Sequence, residues 1–408
     1  MKYRITAALA AFICSIFGAI PVAAQTAAEL LSKGHEAYMN YDFAEASKLY
    51  AQAKRKIKKG DSETSEQLSA RERELTQARN FLERVEKIQI IDSITVPREA
   101  FFKAYRLPQS AGSLKGADAL PPGAPQNSDY VFTNEGGDYK LWAAPDTTGY
   151  MHLVESTLLT DGTWSPATPL DEDLSEDADA IYPFMMSDGV TLYYAENGAN
   201  SIGGYDIMVA TRDATDGSFL QPSNLGFPYN SPYDDYLLAI DELNGVGWWA
   251  TDRNNLGDLI TIYVFIPNEL RQNYNEDDGD LTDLARISDY IATQPEDADY
   301  DELLATIRQI NPNAKVKKEQ FRFPAPGGVI YTRYDELPSA QAQRAMQEYQ
   351  KALSDYNNAA NELEEMRLEF VKRRTRVVES TIMRLEKTQE DARGRLKTLR
   401  NAVYSALN

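Results

Sequence analysis

The chain has 408 residues, room for two or three domains that each bury a core of their own. Hydrophobic residues make up 43% of it and aromatic ones 10%, which excludes wholesale disorder. With 62 acidic against 42 basic residues the formal net charge is −20, and such a surface repels nucleic-acid phosphates.

Residues 1–24 read as an export leader. Lys2 and Arg4 precede the apolar run "ITAALAAFICSIFGAIPV", and "VAAQ" supplies small residues for a cut after Ala24, the pattern of a secretory signal peptide. The only cysteine, Cys14, lies here, and bulky Ile13 stands where a lipoprotein signal wants a small residue, so no lipid anchor is expected. Cleavage removes disulfides, thiol nucleophiles and cysteine-bound metals together. No later stretch is apolar and long enough to span a bilayer. The expected location is the periplasm, alone or associated with the outer membrane, or the exterior.

Residues 25–87 carry helical periodicity. Leu30, Gly34, Ala37, Phe43, Ala46, Tyr50 and Ala53 fit two antiparallel helices joined near Asn40 to Asp42, with Gly34 opposite small residues. A third helix, from about Glu63 to Lys87, caps the pair. The Gly, Ala, aromatic and Ala spacing resembles a tetratricopeptide repeat, which implies a structural helical hairpin, since one repeat makes no peptide groove. In residues 88–127, "IQIIDSITV" alternates as a strand that Pro97 stops, "REAFFKAY" makes a short turn, and "ALPPGAPQNSD" marks a boundary.

Residues 128–270 repeat one order of strands and turns. Ser187 to Gly226 holds the strand "VTLYYAEN", a Gly-Gly turn into "GGYDIMVATRD", and an Asp-Gly turn into "DGSFLQP", read as a four-stranded unit. Upstream "DYVFTNEGGDYKLWAAPD" and downstream "GVGWWATDRNNLGDLITIYVF" follow the same order, at an interval of roughly 55–65 residues. These stretches resemble the WD40-like β-propeller repeats of TolB-type and Bacteroidota envelope proteins. The resemblance implies a β-propeller, either closed or an incomplete arc covered by helices, because three good copies are fewer than the blades that normally close a ring. Residues 271–336 read as a helical connector with a short strand, and no peptidoglycan-binding domain of the kind relatives carry is visible.

Residues 337–408 contain one proline, Pro338, and Ser339 is placed to cap a helix. Tyr349, Leu353, Tyr356, Ala360, Leu363 and Phe370 keep the spacing of a coiled-coil seam, interrupted at Arg374 and resumed from Val378. Two forms fit: a continuous rod of about 100 Å that joins a partner chain or reaches an anionic surface, or a helical hairpin folded back on the acidic body.

Catalytic patterns are thin. His35 and His152 are the only histidines, and neither stands in a triad or metal-ligand spacing. There is no Gly-x-Ser-x-Gly elbow and no phosphate-binding Gly-rich loop, and "DRNNLGDLITIY" fails the calcium-loop pattern at Leu256 and Tyr263. No catalytic residue, cofactor or metal is expected. The acidic stretches around Asp171, Asp277 and Asp297 read as solvated loops. The candidate binding residues, for a protein partner or a glycan, are Tyr205, Asp206, Tyr229, Tyr233, Asp234, Trp248 and Trp249. The expectation is a multidomain α+β envelope protein: an N-terminal helical hairpin, a WD40-like β domain and a long helical tail. Its expected role is that of a non-enzymatic scaffold for envelope proteins, with self-association through the tail; the alternative is a binder of glycans or cell-wall fragments.

Overall fold

The computed structural model describes residues 25–407 except 125–127, 172–173, 176, 254–256, 311–320, 322, 326–328 and 374. The expected leader with Cys14, and the interruption at Arg374, lie outside the described residues. The architecture is mixed α+β, with N-terminal helices, several antiparallel sheets and C-terminal helices. It divides into two units, Met1–Lys315 and Val316–Asn408.

Helices α1 (Ala27–Met39), α2 (Phe43–Lys54) and α3 (Ser62–Leu82) begin at Thr26, Asp42 and Asp61, whose side chains accept the otherwise unpaired first-turn N–H groups. Leu30, Tyr38, Phe43, Ala46, Tyr50 and Ala53 are buried, as the spacing demands, and α3 adds Leu68, Leu75 and Ala78. The reason for Gly34 differs from the expected one. A Cβ there would lie 2.5 Å from the Tyr50 ring, so the glycine makes room for an aromatic side chain rather than for a small one.

Three antiparallel sheets follow. β1 (Gln89–Pro97) leads the chain, but its partner is distant. β2 (Ser113–Lys115), β3 (Val131–Thr133), β4 (Tyr139–Pro145), β5 (Met151–Thr157) and β6 (Thr168–Pro169) form the first sheet in sequence order. β7 (Asp179–Met185), β8 (Thr191–Asn197), β9 (Asp206–Thr211) and β10 (Ser223–Asn224) form the second. The unit is four-stranded, with two changes: its first strand is β7, upstream of Ser187, and its last is β10, beyond the expected "DGSFLQP". β11 (Asp235–Asp241), β12 (Val246–Thr251) and β13 (Leu259–Ile266) build the third sheet, and β1 completes it beside β13, from Gln89 opposite Ile266 to Pro97 opposite Leu259. The free edge of β1 is partly covered: the Ile90 N–H donates to Thr293 Oγ1, and Gln294 donates to the Ile90 carbonyl.

The repeat has a physical basis that recurs. Gly137, Gly189 and Gly245 close the first hairpin of each sheet with φ of 72°, 68° and 63°, conformations open to glycine without strain. β7 and β11 each carry a bulge, where Tyr182 and Leu237 have φ of 52° and 38°. Buried tyrosine hydroxyls hold both bulges: Tyr130 donates to the Pro183 carbonyl at 2.9 Å and Tyr105 to the Leu237 carbonyl at 2.7 Å. One core joins the three sheets. Against it Phe101, Tyr130 and Tyr236 pack around the partly buried Tyr182 ring at 5.3–5.7 Å. After β13 come α4 (Leu281–Arg286) and α5 (Asp301–Gln309), flanking a short 3-10 turn.

In the second unit the strand pair β14 (Phe323–Pro324) and β15 (Ile330–Tyr331) packs on two helices, α6 (Ala340–Lys372) and α7 (Arg376–Leu407). Ser339 caps α6, accepting from the Ala342 N–H. The 100 Å rod is corrected to an antiparallel hairpin with arms of about 50 Å. Val403 packs near Ala342 and Met346 at one end, and Arg367 pairs with Glu386 farther along. The short strand expected in the connector belongs with this hairpin, because Phe323 packs edge-on against Tyr349 and tilted against Tyr404.

Candidate functional site

The candidate residues cluster around one irregular segment, Leu225 to Asp234, between the second and third sheets. Phe227 is fully buried, and its ring lies among Tyr41, Phe43 and Phe81 of the helices. The next residues are held by buried polar groups. Arg253, 1% exposed, donates to the Pro228 and Tyr229 carbonyls at 2.8 and 2.6 Å and to Asp235 at 2.7 Å. Asn230 accepts from the Ile207 N–H and donates to its carbonyl, as a neighbouring strand would. Burial raises the Asp235 carboxyl above its ordinary range, and the Arg253 guanidinium works against that rise.

Asp206 belongs to this internal framework. It is fully buried and accepts from the Ile202 and Gly203 N–H groups and from the Asn224 amide. Burial pushes its carboxyl well up, against the pull of those donors. Gly203 and Gly204, expected to make a tight turn, instead lie against the segment entering the third sheet. A Cβ on Gly203 would sit 2.1 Å from the Tyr233 carbonyl, and one on Gly204 1.9 Å from Asp234 Oδ1. Neither has positive φ, so close approach is what requires glycine here.

Four candidates are corrected by their burial: Asp206, Tyr229, Trp248 and Trp249 are inside. Trp248 and Trp249 are wholly inside, Trp249 packed among Tyr229, Tyr263 and Phe265 at 5.0–5.4 Å, and Tyr229 is 6% exposed. No ring face of the two tryptophans is open to a sugar or a partner. They pack because their strand is covered on both sides, which reads in sequence as an unbroken apolar run.

Tyr205, Tyr233 and Asp234 remain at the surface. Asp234 accepts from the Tyr205 N–H at 2.9 Å and from the Tyr236 hydroxyl at 2.8 Å. Arg98 donates to that same hydroxyl at 2.6 Å and to Asp252 at 2.7 Å. The Tyr205 hydroxyl contacts Asp179, and burial, with that carboxylate, pushes it up to about 12. This rim links the second and third sheets through residue types common in binding sites, with Tyr205, Asp234, Tyr236, Arg98 and Asp252 bonded in a chain.

Beside the rim lies a cleft of about 480 Å³ between α1, α3 and the sheet loops, lined by His35, Arg71, Glu74, Ile202, Tyr233 and Asp252. Glu74 pairs with Arg71 at 2.8 Å, while burial raises its carboxyl. His35 stacks on Tyr38, and its Nδ1 is buried with no hydrogen-bond partner among the described residues. Burial first, then Arg71, lowers its imidazole to about 4, so the ring is neutral near pH 7. The cleft offers a neutral imidazole and a mixed-charge wall suited to hydrogen bonding. Among the described residues no group of three His, Cys, Asp or Glu side chains is placed to hold a metal.

Sequence reasoning missed Arg98, Arg253 and Asn230, whose partners come from remote segments, and the Arg71–Glu74 pair, which is local to α3. No described helix is long and apolar enough to cross a membrane. Comparison with protein-family models, with curated proteins and with solved structures found no match.

Proposed function

We propose that the protein is a non-enzymatic, exported scaffold of the cell envelope, whose sheets are WD40-like propeller blades and whose C-terminal hairpin brings copies of the chain together. One observation carries the reading. The hairpin buries only part of its seam: Leu363, Leu385 and Val403 are covered, while Leu353, Met366, Phe370, Ile382, Leu396 and Leu399 keep part of their surface open and Leu368 on α6 is 56% exposed. Two helices cover each other along one line only, and a bundle of four would cover the rest. The repeated hairpin glycines and bulges support the blade reading. Burial of Trp248 and Trp249 leaves the glycan alternative with Tyr205 and Tyr233 alone.

The test is the light-scattering mass of the chain from Gln25 to Asn408 beside one ending at Pro338. An oligomeric full chain and a monomeric shorter one support assembly through the hairpin. Two monomers sink it.

A further inference from the structure

The turn that joins α6 to α7 inverts the charge of the chain around it. Residues 372–376 read "KRRTR", four cations in five, and no acidic residue stands between Glu369 and Glu379. In a chain of net charge −20 the exposed turns of the sheets carry acids instead, among them Asp161, Asp188, Asp216 and Glu242. Lys372, Arg373 and Arg376 are exposed, and none of their side chains makes a hydrogen bond or ion pair with the described residues. Farther from the turn Arg367 does have a partner, Glu386.

The fold accounts for only one of the three. Lys372 ends α6, where a cation complements the helix dipole. Arg376 opens α7, where a cation opposes the dipole and an acid is the stabilising choice. Thr375 already caps that end, its hydroxyl accepting from the Val378 N–H at 3.3 Å, so Arg376 does not serve the cap. The Arg373 side chain ties nothing together. Beside these cations Val377 is 74% exposed, apolar surface that the hairpin leaves in water at the same end. A single exposed valine is ordinary; its place among unpaired cations, one of them set against a helix dipole, is what needs a reason.

We propose that the closed end of the hairpin docks on an anionic lipid surface, with Lys372, Arg373 and Arg376 on the phosphates and Val377 at the boundary between headgroups and acyl chains. A guanidinium meets phosphate oxygens with paired hydrogen bonds, and each cation near an anionic bilayer strengthens binding by about 5-fold. Two helix ends and a short turn make a convex end, which meets a flat array of phosphates more completely than it encloses one acidic side chain. The inference is independent of assembly through the seam.

Co-sedimentation of the chain from Gln25 with vesicles tests it, comparing pure phosphatidylcholine with a mixture containing about one third phosphatidylglycerol. Three cations should favour the mixed vesicles by about 100-fold in low salt, and about 0.5 M salt should remove the preference. A chain carrying Lys372→Gln, Arg373→Gln and Arg376→Gln should fall to the phosphatidylcholine level, with an unchanged melting temperature because the three side chains are exposed and unpaired. Val377→Ser should weaken binding to the mixed vesicles by about 3-fold, the share of a partly buried valine. Equal binding to both vesicles, binding to neither, or a preference that survives in the triple variant overturns the proposal. If soluble poly-glutamate binds the chain as tightly as the mixed vesicles do, the turn answers to an acidic protein and the lipid reading falls.

Discussion

The sheet-bearing unit and the C-terminal hairpin solve the problem of specifying a fold in opposite ways. The first places charge inside: Asp206, Asp235 and Arg253 have at most 1% of their surface exposed, and Arg253, paired with Asp235, pins an irregular segment through bonds to its backbone. The hairpin keeps charge outside, with Arg367 and Glu386 each about half exposed, and relies on apolar spacing along two regular helices. A buried network is costly to disturb because every member desolvates the next; a surface pair is cheap because water replaces it. The same chemical change should therefore have very different consequences in the two regions.

The widest contrast is between two arginines. Arg253→Met leaves Asp235 buried without its counter-charge and frees two carbonyls, a loss of about 3–5 kcal/mol. Arg367→Met removes an exposed pair worth at most about 1 kcal/mol. Urea unfolding of the two variants measures the ratio, and native-state hydrogen exchange locates it. Loss of protection confined to β11–β13 and their neighbours would mark the hairpin as an independent cooperative unit; loss shared with α6 and α7 would break the comparison.

A second contrast should reverse sign. Gly204→Ala puts a methyl group 1.9 Å from Asp234 Oδ1, and the rim must shift, a destabilisation of about 1–3 kcal/mol. Gly394→Ala meets nothing within 4 Å on α7 and replaces the weakest ordinary helix former with the best, a gain of about 0.5–1 kcal/mol. Thermal melts of the two variants against the parent chain decide it, and a stabilising Gly204→Ala would show that the close approach is unimportant.

What was legible in the sequence follows the same division. Local signals were readable: the cap at Ser339, the helical spacing of Leu30 to Ala53, and the strand that ends at Pro97. Signals that depend on two distant segments were not. Nothing in "IQIIDSITV" names β13 as its partner, and nothing in "ATDRNN" says that Arg253 turns inward to Tyr229. Trp248 and Trp249 suggest a binding surface only while the covering layers are unknown, and a Gly-Gly pair looks like a turn until Tyr233 and Asp234 are seen against it. Periodicity did not decide between rod and hairpin, because α6 and α7 carry the same kind of apolar spacing up to Lys372 and again from Arg376.

The smallest effect isolates one group in the sheet-bearing unit, for the hairpin has no histidine. His35 is held near a pKa of about 4 by burial and by Arg71, against 6.5 when free. Because the folded value lies below the unfolded one, the unfolded chain binds the proton more readily between these limits. The contribution of the neutral ring is therefore complete above about pH 6.5 and is lost as the pH falls towards 4. For a partly exposed ring beside a solvated cleft, screening reduces the effect to about 1–2 kcal/mol. Urea unfolding at pH 7.0 and 5.5 reads it, and pH 5.5 lies above the range in which ordinary carboxyls titrate. His35→Gln should abolish this loss and leave the sheet-bearing unit at least as stable at pH 5.5 as at 7.0, because carboxyls that burial raises, Asp235 among them, favour the folded state as the pH falls. An equally steep loss in the variant would trace the acid sensitivity to other groups and remove His35 as the proton-sensitive member of the cleft.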